Sequence, residues 1–402
     1  MNGLRRGLIV AALALFSLSS LIGGLLWLLW WLLPYRASAV EATLPVGSRW
    51  KPLFWLFVFL SLVPLLTSAL PLWHLAGWLS RYGLPVLLLW SSYRALISGR
   101  LAAADLVTGL LAGSLLLAGL GLGNYFLHWQ THLQALCFGS FGGFCLLDLL
   151  LLAEDRARSF SMHPNVLGIL LAVLLPLWLY ALGHAKKKHK IPVLAGLLLV
   201  LLALLVSFSR AAWLGGGLAL GLGLFWLMPL SLLTLPLAVA GLWVSGGQDL
   251  LSRRLGGLLA AEGSQISRLR LWEGGLRMLQ EHLLCGTGLL QVEGLIPAYV
   301  GSLPGGAGHL HDWYLQVAVE SGLPAALLVF ALLALLLGRP GQLPLARSCW
   351  LAWAGFGLAS LFDVTILDLR VAFVMSLLLA LLLQQRAADA ARAWDRPAGQ
   401  ME

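Results

Sequence analysis

The sequence predicts an all-α, polytopic integral membrane protein with about twelve transmembrane helices and one outer loop of amphipathic helices. Of its 402 residues, 60% are hydrophobic and 11% are charged, whereas a soluble domain carries roughly 25% charged residues. The mean hydropathy is +0.88. The 18 tryptophans fit belts of aromatic side chains where lipid meets water.

Twelve segments come close to the roughly 20 apolar residues that a membrane span needs. The predicted spans are residues 8–33, 53–73, 77–98, 103–123, 132–152, 164–183, 191–208, 211–228, 229–245, 312–337, 348–363 and 369–385. Arg5 and Arg6 before the first segment are typical of a signal peptide, but this apolar run is too long for one.

Positive charge orients these spans. With twelve of them, the basic residues of the N-terminus, the lysine run, the turn after the tenth span and the tail fall on one side. These residues are Arg5, Arg6, Lys186, Lys187, Lys188, Lys190, Arg339, Arg347, Arg386, Arg392 and Arg396. Cytoplasmic loops carry an excess of Lys and Arg, so both termini are predicted to be cytoplasmic. The net charge of +9 therefore reflects topology, and no nucleic-acid partner is predicted.

The predicted organisation has four parts. Residues 1–245 hold spans one to nine, 246–311 form the outer loop, 312–385 hold the last three spans, and 386–402 form a cytoplasmic tail. The same topology places three shorter polar segments on the side of the outer loop. These are residues 154–163, 209–210 and 363–368.

The outer loop is predicted to contain amphipathic helices at 252–259 and 266–284. In the second, Leu269, Trp272 and Leu276 recur at spacings of three and four residues. Such helices lie along a membrane surface, which makes membrane lipid a predicted partner.

Arginines make this loop basic although it is on the less basic side of the membrane. Because the planar guanidinium matches phosphate geometry, they favour an anionic ligand. Pairing with the loop glutamates or with lipid headgroups is the alternative. The arginines are Arg253, Arg254, Arg268, Arg270 and Arg277.

His309 and His311 lie where the outer loop meets the tenth predicted span, and histidine titrates near neutral pH. On a continuous helix Gly322 would lie beneath His311, because eleven residues return to within about 20° of the same face. Glu320 would point the opposite way, and His309 would support the turn. The alternative is that His311 only ends a helix at the interface.

Arg210 ends the seventh predicted span at the outer surface. A guanidinium there can bind a lipid pyrophosphate, or it can simply mark the interface by snorkelling. Asp363 and Asp368 flank the outer turn between the last two spans. They are predicted to pair with arginines and not to take part in catalysis.

His163 and Pro164 precede the sixth predicted span. Proline suits the first position of a helix, which favours a capping role for His163. Arg158 nearby is a further candidate to bind phosphate. The four cysteines have no metal-binding or redox spacing, and no metal is predicted.

Four elements, in this order along the chain, resemble motifs of the O-antigen ligase and polymerase superfamily. They are Ser-Met-His-Pro-Asn-Val-Leu-Gly (161–168), Ser-Phe-Ser-Arg-Ala-Ala-Trp-Leu (207–214), Arg-Leu-Arg-Leu-Trp (268–272) with Glu-His-Leu-Leu-Cys-Gly-Thr-Gly (281–288), and His-Asp-Trp-Tyr-Leu-Gln (311–316) with Gly-Leu-Pro (322–324). Asp312 stands where the family usually has Asn, Ser or Gln. A carboxylate beside His311 would keep that imidazole more basic.

The resemblance implies a metal-independent glycosyltransferase that needs no cofactor and works at the periplasmic face of the bacterial inner membrane. The donor would be a glycan on undecaprenyl pyrophosphate, and the acceptor a glycolipid or glycan hydroxyl. This acceptor is lipid A-core in ligases and another lipid-linked repeat in polymerases. His311 would be the general base, and Arg210 and Arg268 would bind the pyrophosphate. Supporting positions are predicted at Arg270, His309, Asp312, Glu320, His163 and Arg158.

Two other functions remain open at this point. One branch of the superfamily is labelled as bicarbonate transporters, and a flippase or assembly scaffold is also possible. A transporter should place ionisable groups at the bilayer midplane and have broken helices in two matching halves. His311 favours the enzyme, because the bicarbonate-labelled members lack the histidine of this motif.

Overall fold

The structure is a computed structural model that describes residues 2–16, 19–33, 50–67, 70–127, 163–227, 263–301 and 307–394. Within these ranges all regular structure is helical and no strand occurs, which confirms the predicted all-α class. The helices are α1 (Asn2–Phe16), α2 (Ser20–Leu32), α3 (Trp50–Leu62), α4 (Pro64–Thr67), α5 (Pro71–Trp78), a π-helix (Leu79–Gly83), α6 (Leu84–Ile97), α7 (Ala103–Leu127), α8 (Pro164–His184), α9 (Lys190–Val206), α10 (Arg210–Leu227), α11 (Gly263–Glu281), α12 (Val292–Val300), α13 (Trp313–Ser321), α14 (Leu323–Leu337), α15 (Pro344–Ala359) and α16 (Leu369–Trp394).

Four helices in the described ranges are long and apolar enough to cross a membrane. They are Ala103–Leu127, Pro164–His184, Lys187–Val206 and Leu369–Arg392. Shorter apolar stretches are Ile22–Leu32, Trp50–Leu66 and Leu323–Leu337. The predicted count of about twelve spans is not confirmed. The predicted spans 132–152 and 229–245, and the predicted surface helix 252–259, lie outside the described residues.

Four segments predicted as single spans are interrupted. The first consists of α1 and α2, which pack against each other. Ser19 begins α2 by accepting a hydrogen bond from the Ile22 N–H, and serine favours such caps over helix interiors. The second, 53–73, contains parts of α3, α4 and α5. The third contains the π-helix that carries Arg81. The tenth is divided at Gly322 into α13 and α14.

The centre of the structure is α8, whose residues from Val166 to Leu179 are buried. It packs against α7, α9, α10 and α15. A side chain at Gly168 would clash with Ala212 and Ser209 at 2.9 Å. The N-terminal ends of α8 and α10 therefore lie side by side, which brings His163 and Arg210 to the same end of the bundle.

A short loop fills the break between α13 and α14. The N–H of Thr287 donates to the carbonyl of Val319 at 2.8 Å, and that of Gly288 to Glu320 at 3.0 Å. These carbonyls have no donor within a helix, because the N–H of Leu323 donates to Leu283 and Pro324 has no N–H. A non-helical backbone in a membrane protein needs such replacements.

Two glycines make this contact possible. Gly286 and Gly322 have φ values of 71° and 79°, which favour glycine because a Cβ is strained there. A Cβ on Gly322 would lie 2.3 Å from the carbonyl oxygen of Leu284, and one on Gly286 would lie 2.5 Å from that of Glu320. The loop and the helix break therefore fit each other at backbone distance.

The surface helix predicted at 266–284 is present as α11. Its inner side packs against α12 and the following turn through a small core. That core consists of Leu271, Met278, Val292, Ile296, Leu310 and Val319. Leu269 and Leu276 on the other side remain more than half exposed, at 57% and 51%, as expected for a helix lying against lipid.

Candidate active site

His311 does not belong to the helix that follows it. It has a left-handed φ of 54°, and α13 begins only at Trp313, with Asp312 as its N-cap. The carboxylate of Asp312 accepts a hydrogen bond from the Leu315 N–H at 2.9 Å. The predicted continuous face from His311 to Gly322 is therefore wrong, because the chain turns before α13 and breaks after it.

The two histidines are held against each other in one turn. The N–H of His311 donates to Nδ1 of His309 at 3.2 Å, and their ring centroids are 4.2 Å apart. The N–H of the intervening Leu310 donates to Oε1 of Gln316 at 2.9 Å. The turn is thus fixed at both of these backbone amides.

The start of α13 is attached to the end of α15. The N–H of Trp313 donates to the carbonyl of Ser360, and the hydroxyl of Tyr314 to that of Gly357, both at 2.9 Å. This attachment brings His311 to the turn after α15. There its Nδ1 lies 3.6 Å from Oδ1 of Asp363.

The pairing of Asp363 differs from the sequence-based expectation. Its carboxylate faces His311 and accepts hydrogen bonds from the Nδ2 of Asn165 and from the Val364 N–H. Asp312, the carboxylate expected to act on His311, is occupied with capping. Asp368, the other aspartate that flanks this turn, does pair with an arginine, Arg370.

Asp363 is held ionised by this surrounding. Burial alone would raise the pKa of its carboxyl, but the imidazoles of His311 and His309 and the Val364 N–H outweigh burial and lower the pKa to about 2. The side chain of Asp363 is 5% exposed and that of His311 is 29% exposed. His311 thus has one buried edge against a negative charge and another edge open to a ligand.

Arg268 lies within electrostatic range of the Asp363 carboxylate and of Arg210. Burial lowers the pKa of Arg268, the charge of Asp363 opposes this, and the charge of Arg210 lowers it further. Arg210 is the first residue of α10, which Ser209 caps by accepting from the Ala212 N–H. Arg268 therefore lies beside the histidine turn, with Arg210, from a separate helix, next to it.

His309 is buried among groups that mostly disfavour its protonation. Burial lowers its pKa from 6.5 to about 4, with further lowering by His311, His163 and Arg268, against the opposing effect of Asp363. A neutral His309 agrees with its Nδ1 accepting the His311 N–H. The site as a whole carries excess positive charge, which suits an anionic ligand.

His309, His311 and Asp363 also have ligand atoms within 4.8 Å of one another, a grouping that can hold a metal ion. Imidazole and carboxylate suit several divalent ions. The neighbouring Arg268 and Arg210 oppose a second cation at this point. The electrostatics of the cluster therefore favour an anion over a metal.

The other candidate residues have different roles. His163 is the N-cap of α8, with Nδ1 accepting from the Asn165 N–H at 3.2 Å, as its sequence context predicts. Arg270 is exposed, on the far side of α11 from Arg268, since two residues turn a helix by about 200°. Glu320 is buried in an ion pair with Arg81. Arg158 lies outside the described residues.

The sequence-based prediction assigned Asp363 to an arginine and not to the site, and it did not select Asn165, Gln316 or Arg81. Asn165 and Gln316 lie inside the motifs 161–168 and 311–316, so their place in these motifs was a signal for a role in the site. Asp363 and Arg81 belong to segments with no recognisable motif, and only the packing of α8, α13 and α15 brings Asp363 to the histidines.

Comparison with known proteins identifies the relationship. Residues 195–330, about a third of the chain, match the family model described as O-antigen ligase. This segment of the chain is similar to that family. It contains Arg210, Arg268, His309 and His311, whereas Asn165 and Asp363 lie outside it. No curated protein matches the chain.

The match supports the resemblance predicted from the motifs. The matched family suggests a glycosyltransferase-like bacterial membrane enzyme of O-antigen and lipopolysaccharide processing. It implies in general a lipid-linked glycan donor and a glycan acceptor. The apolar helices of the described ranges fit this membrane setting.

Proposed function

We propose that the chain is an O-antigen ligase-type glycosyltransferase at the periplasmic face of the inner membrane. It transfers a glycan from undecaprenyl pyrophosphate to a hydroxyl of lipid A-core or another glycan, without a metal. The single observation that carries this proposal is the pairing of His311 with Asp363 beside Arg210 and Arg268.

His311 acts as the general base in this scheme. Its imidazole takes the proton of the acceptor hydroxyl as the oxygen attacks the anomeric carbon of the donor. The imidazolium that forms is stabilised by Asp363, whose carboxylate stays ionised because its pKa is about 2. The buried contact at Nδ1 leaves the opposite edge of the ring for the acceptor.

Arg210 and Arg268 act on the leaving group. As the new bond forms, the bond from the anomeric carbon to the pyrophosphate oxygen breaks, and its electrons leave with undecaprenyl pyrophosphate. Fixed positive charge stabilises this developing negative charge in the transition state. A single displacement of this kind inverts the configuration at the anomeric carbon.

The direct test uses purified full-length protein in vesicles with a lipid-linked glycan and an acceptor. We expect His311→Ala to lower the transfer rate by on the order of a hundredfold or more. His189→Ala, at an exposed histidine outside the site, is the control. Normal transfer by correctly inserted His311→Ala protein would eliminate the general-base role.

The acceptor decides between ligase and polymerase. Lipid A-core as the efficient acceptor supports the ligase, and a second lipid-linked repeat supports the polymerase. The broken helix at Gly322 is a feature that transporters share. Bicarbonate uptake by the same vesicles, with no glycan transfer to either acceptor, would favour the transporter.

A further inference from the structure

We propose that Arg81, Glu320 and Gln316 form a relay of side chains that positions the histidine turn for the proposed transfer reaction. The inference rests on the proposed function for its catalytic consequence. We call these three residues the Arg81 relay. None of them touches the reacting atoms, so they are positioning residues.

The relay is continuous from the π-helix to the turn. Arg81 is paired through Nη1 with Oε2 of Glu320. The other carboxylate oxygen, Oε1, accepts a hydrogen bond from Nε2 of Gln316 at 2.8 Å. The amide oxygen of Gln316 accepts the N–H of Leu310 at 2.9 Å, and Leu310 is the residue between His309 and His311.

The three residues of the Arg81 relay and Leu310 are shielded from solvent. Gln316 is 1% exposed, Glu320 is 2% exposed and Leu310 is fully buried, while the side chain of Arg81 is 13% exposed. Water therefore cannot replace a lost contact, and a buried polar group without a partner is costly. The amide of Leu310 depends on Gln316.

The chemistry of the three side chains fixes which end of the Gln316 side-chain amide faces Leu310. A carboxylate only accepts hydrogen bonds, whereas a glutamine amide donates at one end and accepts at the other. Glu320 therefore attracts the NH2 end of Gln316, which turns the oxygen end toward Leu310. Arg81 supplies the positive charge that a buried carboxylate requires.

An ion pair that only held two helices together would not need the hydrogen bond from Gln316 to Glu320. Joining α13 to the π-helix requires only the contact between Arg81 and Glu320, or an apolar pair of similar size. The neighbouring hydrogen bond of 3.0 Å between the hydroxyls of Tyr82 and Ser321 joins the same two elements without reaching the turn. It provides a matched control.

The experiment compares Glu320→Gln and Gln316→Leu with Tyr82→Phe in full-length protein in vesicles. The first readout is glycan transfer, with kcat and KM separated. We expect both relay variants to lower kcat by on the order of a hundredfold, as a displaced catalytic group does, with KM for the donor nearly unchanged. Tyr82→Phe should keep the wild-type kcat.

The second readout is amide hydrogen exchange at Leu310, which does not depend on activity. Exchange should become faster in both relay variants and stay slow in Tyr82→Phe. Wild-type exchange at Leu310 in Glu320→Gln would overturn the relay. If His311→Ala transfers normally, the proposed function fails, but this measurement still decides whether the relay holds the turn.

A double variant covers the case in which single changes prevent folding. Arg81→Met with Glu320→Met removes both charges and keeps apolar bulk between the helices. We expect this protein to fold, to exchange Leu310 rapidly and to retain the low kcat. Recovery of wild-type kcat and slow exchange would show that the pair serves helix packing alone, against our proposal.

Discussion

Nδ1 of His311 faces Oδ1 of Asp363 at 3.6 Å, across the contact between the start of α13 and the turn after α15. The pair joins a left-handed backbone residue to a carboxylate that is itself held by Asn165 and the Val364 N–H. The backbone of His311 and the carboxylate of Asp363 are therefore each held in place by their own contacts.

Replacing Asp363 with Asn should lower kcat for glycan transfer by on the order of a hundredfold. The change keeps the size of the side chain but removes the negative charge that stabilises the His311 imidazolium. Steady-state transfer in vesicles measures the effect. Asp368→Asn, in the same turn but paired with Arg370, should retain most of the activity.

Arg268→Ala and Arg270→Ala should differ although the residues are almost adjacent. Loss of Arg268 removes a partly buried cation next to Arg210 and should lower kcat/KM for the donor about a hundredfold. Arg270 is exposed and should affect the donor little. Equal effects of the two changes, or normal transfer by an Arg210→Ala/Arg268→Ala variant, would contradict the pyrophosphate role.

Acid should destabilise the protein through His309. Its pKa falls from 6.5 to about 4 on folding, so the unfolded chain binds a proton below pH 6.5 that the folded protein takes up only near pH 4. Stability is therefore lost as the pH falls from about 6.5 to about 4. Asp363, with a pKa lowered from 3.8 to about 2, adds its loss only below pH 3.8.

Measurements of Tm against pH in detergent check this expectation. In His309→Asn the oxygen of asparagine can still accept the His311 N–H, but no imidazole titrates at that position. The fall in Tm between pH 6.5 and 4 should be smaller than in wild type. His189→Asn, at an exposed histidine, should follow the wild-type curve.

Removal of metal ions should leave transfer unchanged. The grouping of His309, His311 and Asp363 can hold an ion, but Arg268 and Arg210 beside it oppose one. Vesicles treated with EDTA are therefore expected to transfer glycan at the untreated rate. A loss of activity that one equivalent of Zn²⁺ restores would instead identify a metal centre.

Gly322→Ala should destabilise the fold and thereby reduce activity. The new Cβ meets the carbonyl oxygen of Leu284 at 2.3 Å, and a φ of 79° costs a residue other than glycine about 1–3 kcal/mol. Thermal unfolding in detergent measures the loss. Gly294→Ala in α12, where nothing lies within 4 Å of a new Cβ, should keep or raise Tm.

Sequence patterns predicted what depends on local order along the chain. Apolar runs predicted α7, α8, α9 and α16, and the periodicity of apolar residues predicted α11. The motifs indicated His311, Arg210 and Arg268 as site residues. The proline at position 164 correctly indicated the cap at His163. These features follow from neighbours within a few residues of each other.

The helix break at Gly322, the partner of Glu320 and the role of Asp363 depend on contacts between distant segments. Gly322 and Pro324 are a local signal for a helix end, but the run 312–337 does not show what completes the break, because the replacement hydrogen bonds come from Thr287 and Gly288. Likewise Glu320 has its partner, Arg81, in the π-helix. The residues near Glu320 in the sequence therefore do not predict its role. Asp363 became part of the site only through the packing of α13 on α15.

The pair of Arg81 and Glu320 also constrains how the protein is made. The two residues are 239 positions apart, and ribosomes add about 5–20 residues per second. Arg81 thus emerges roughly ten to fifty seconds before its partner. In the predicted topology Arg81 lies in a membrane segment, where a charge is costly until it is paired. We therefore expect the helix that carries Arg81 to stay in contact with water during synthesis until α13 has been inserted.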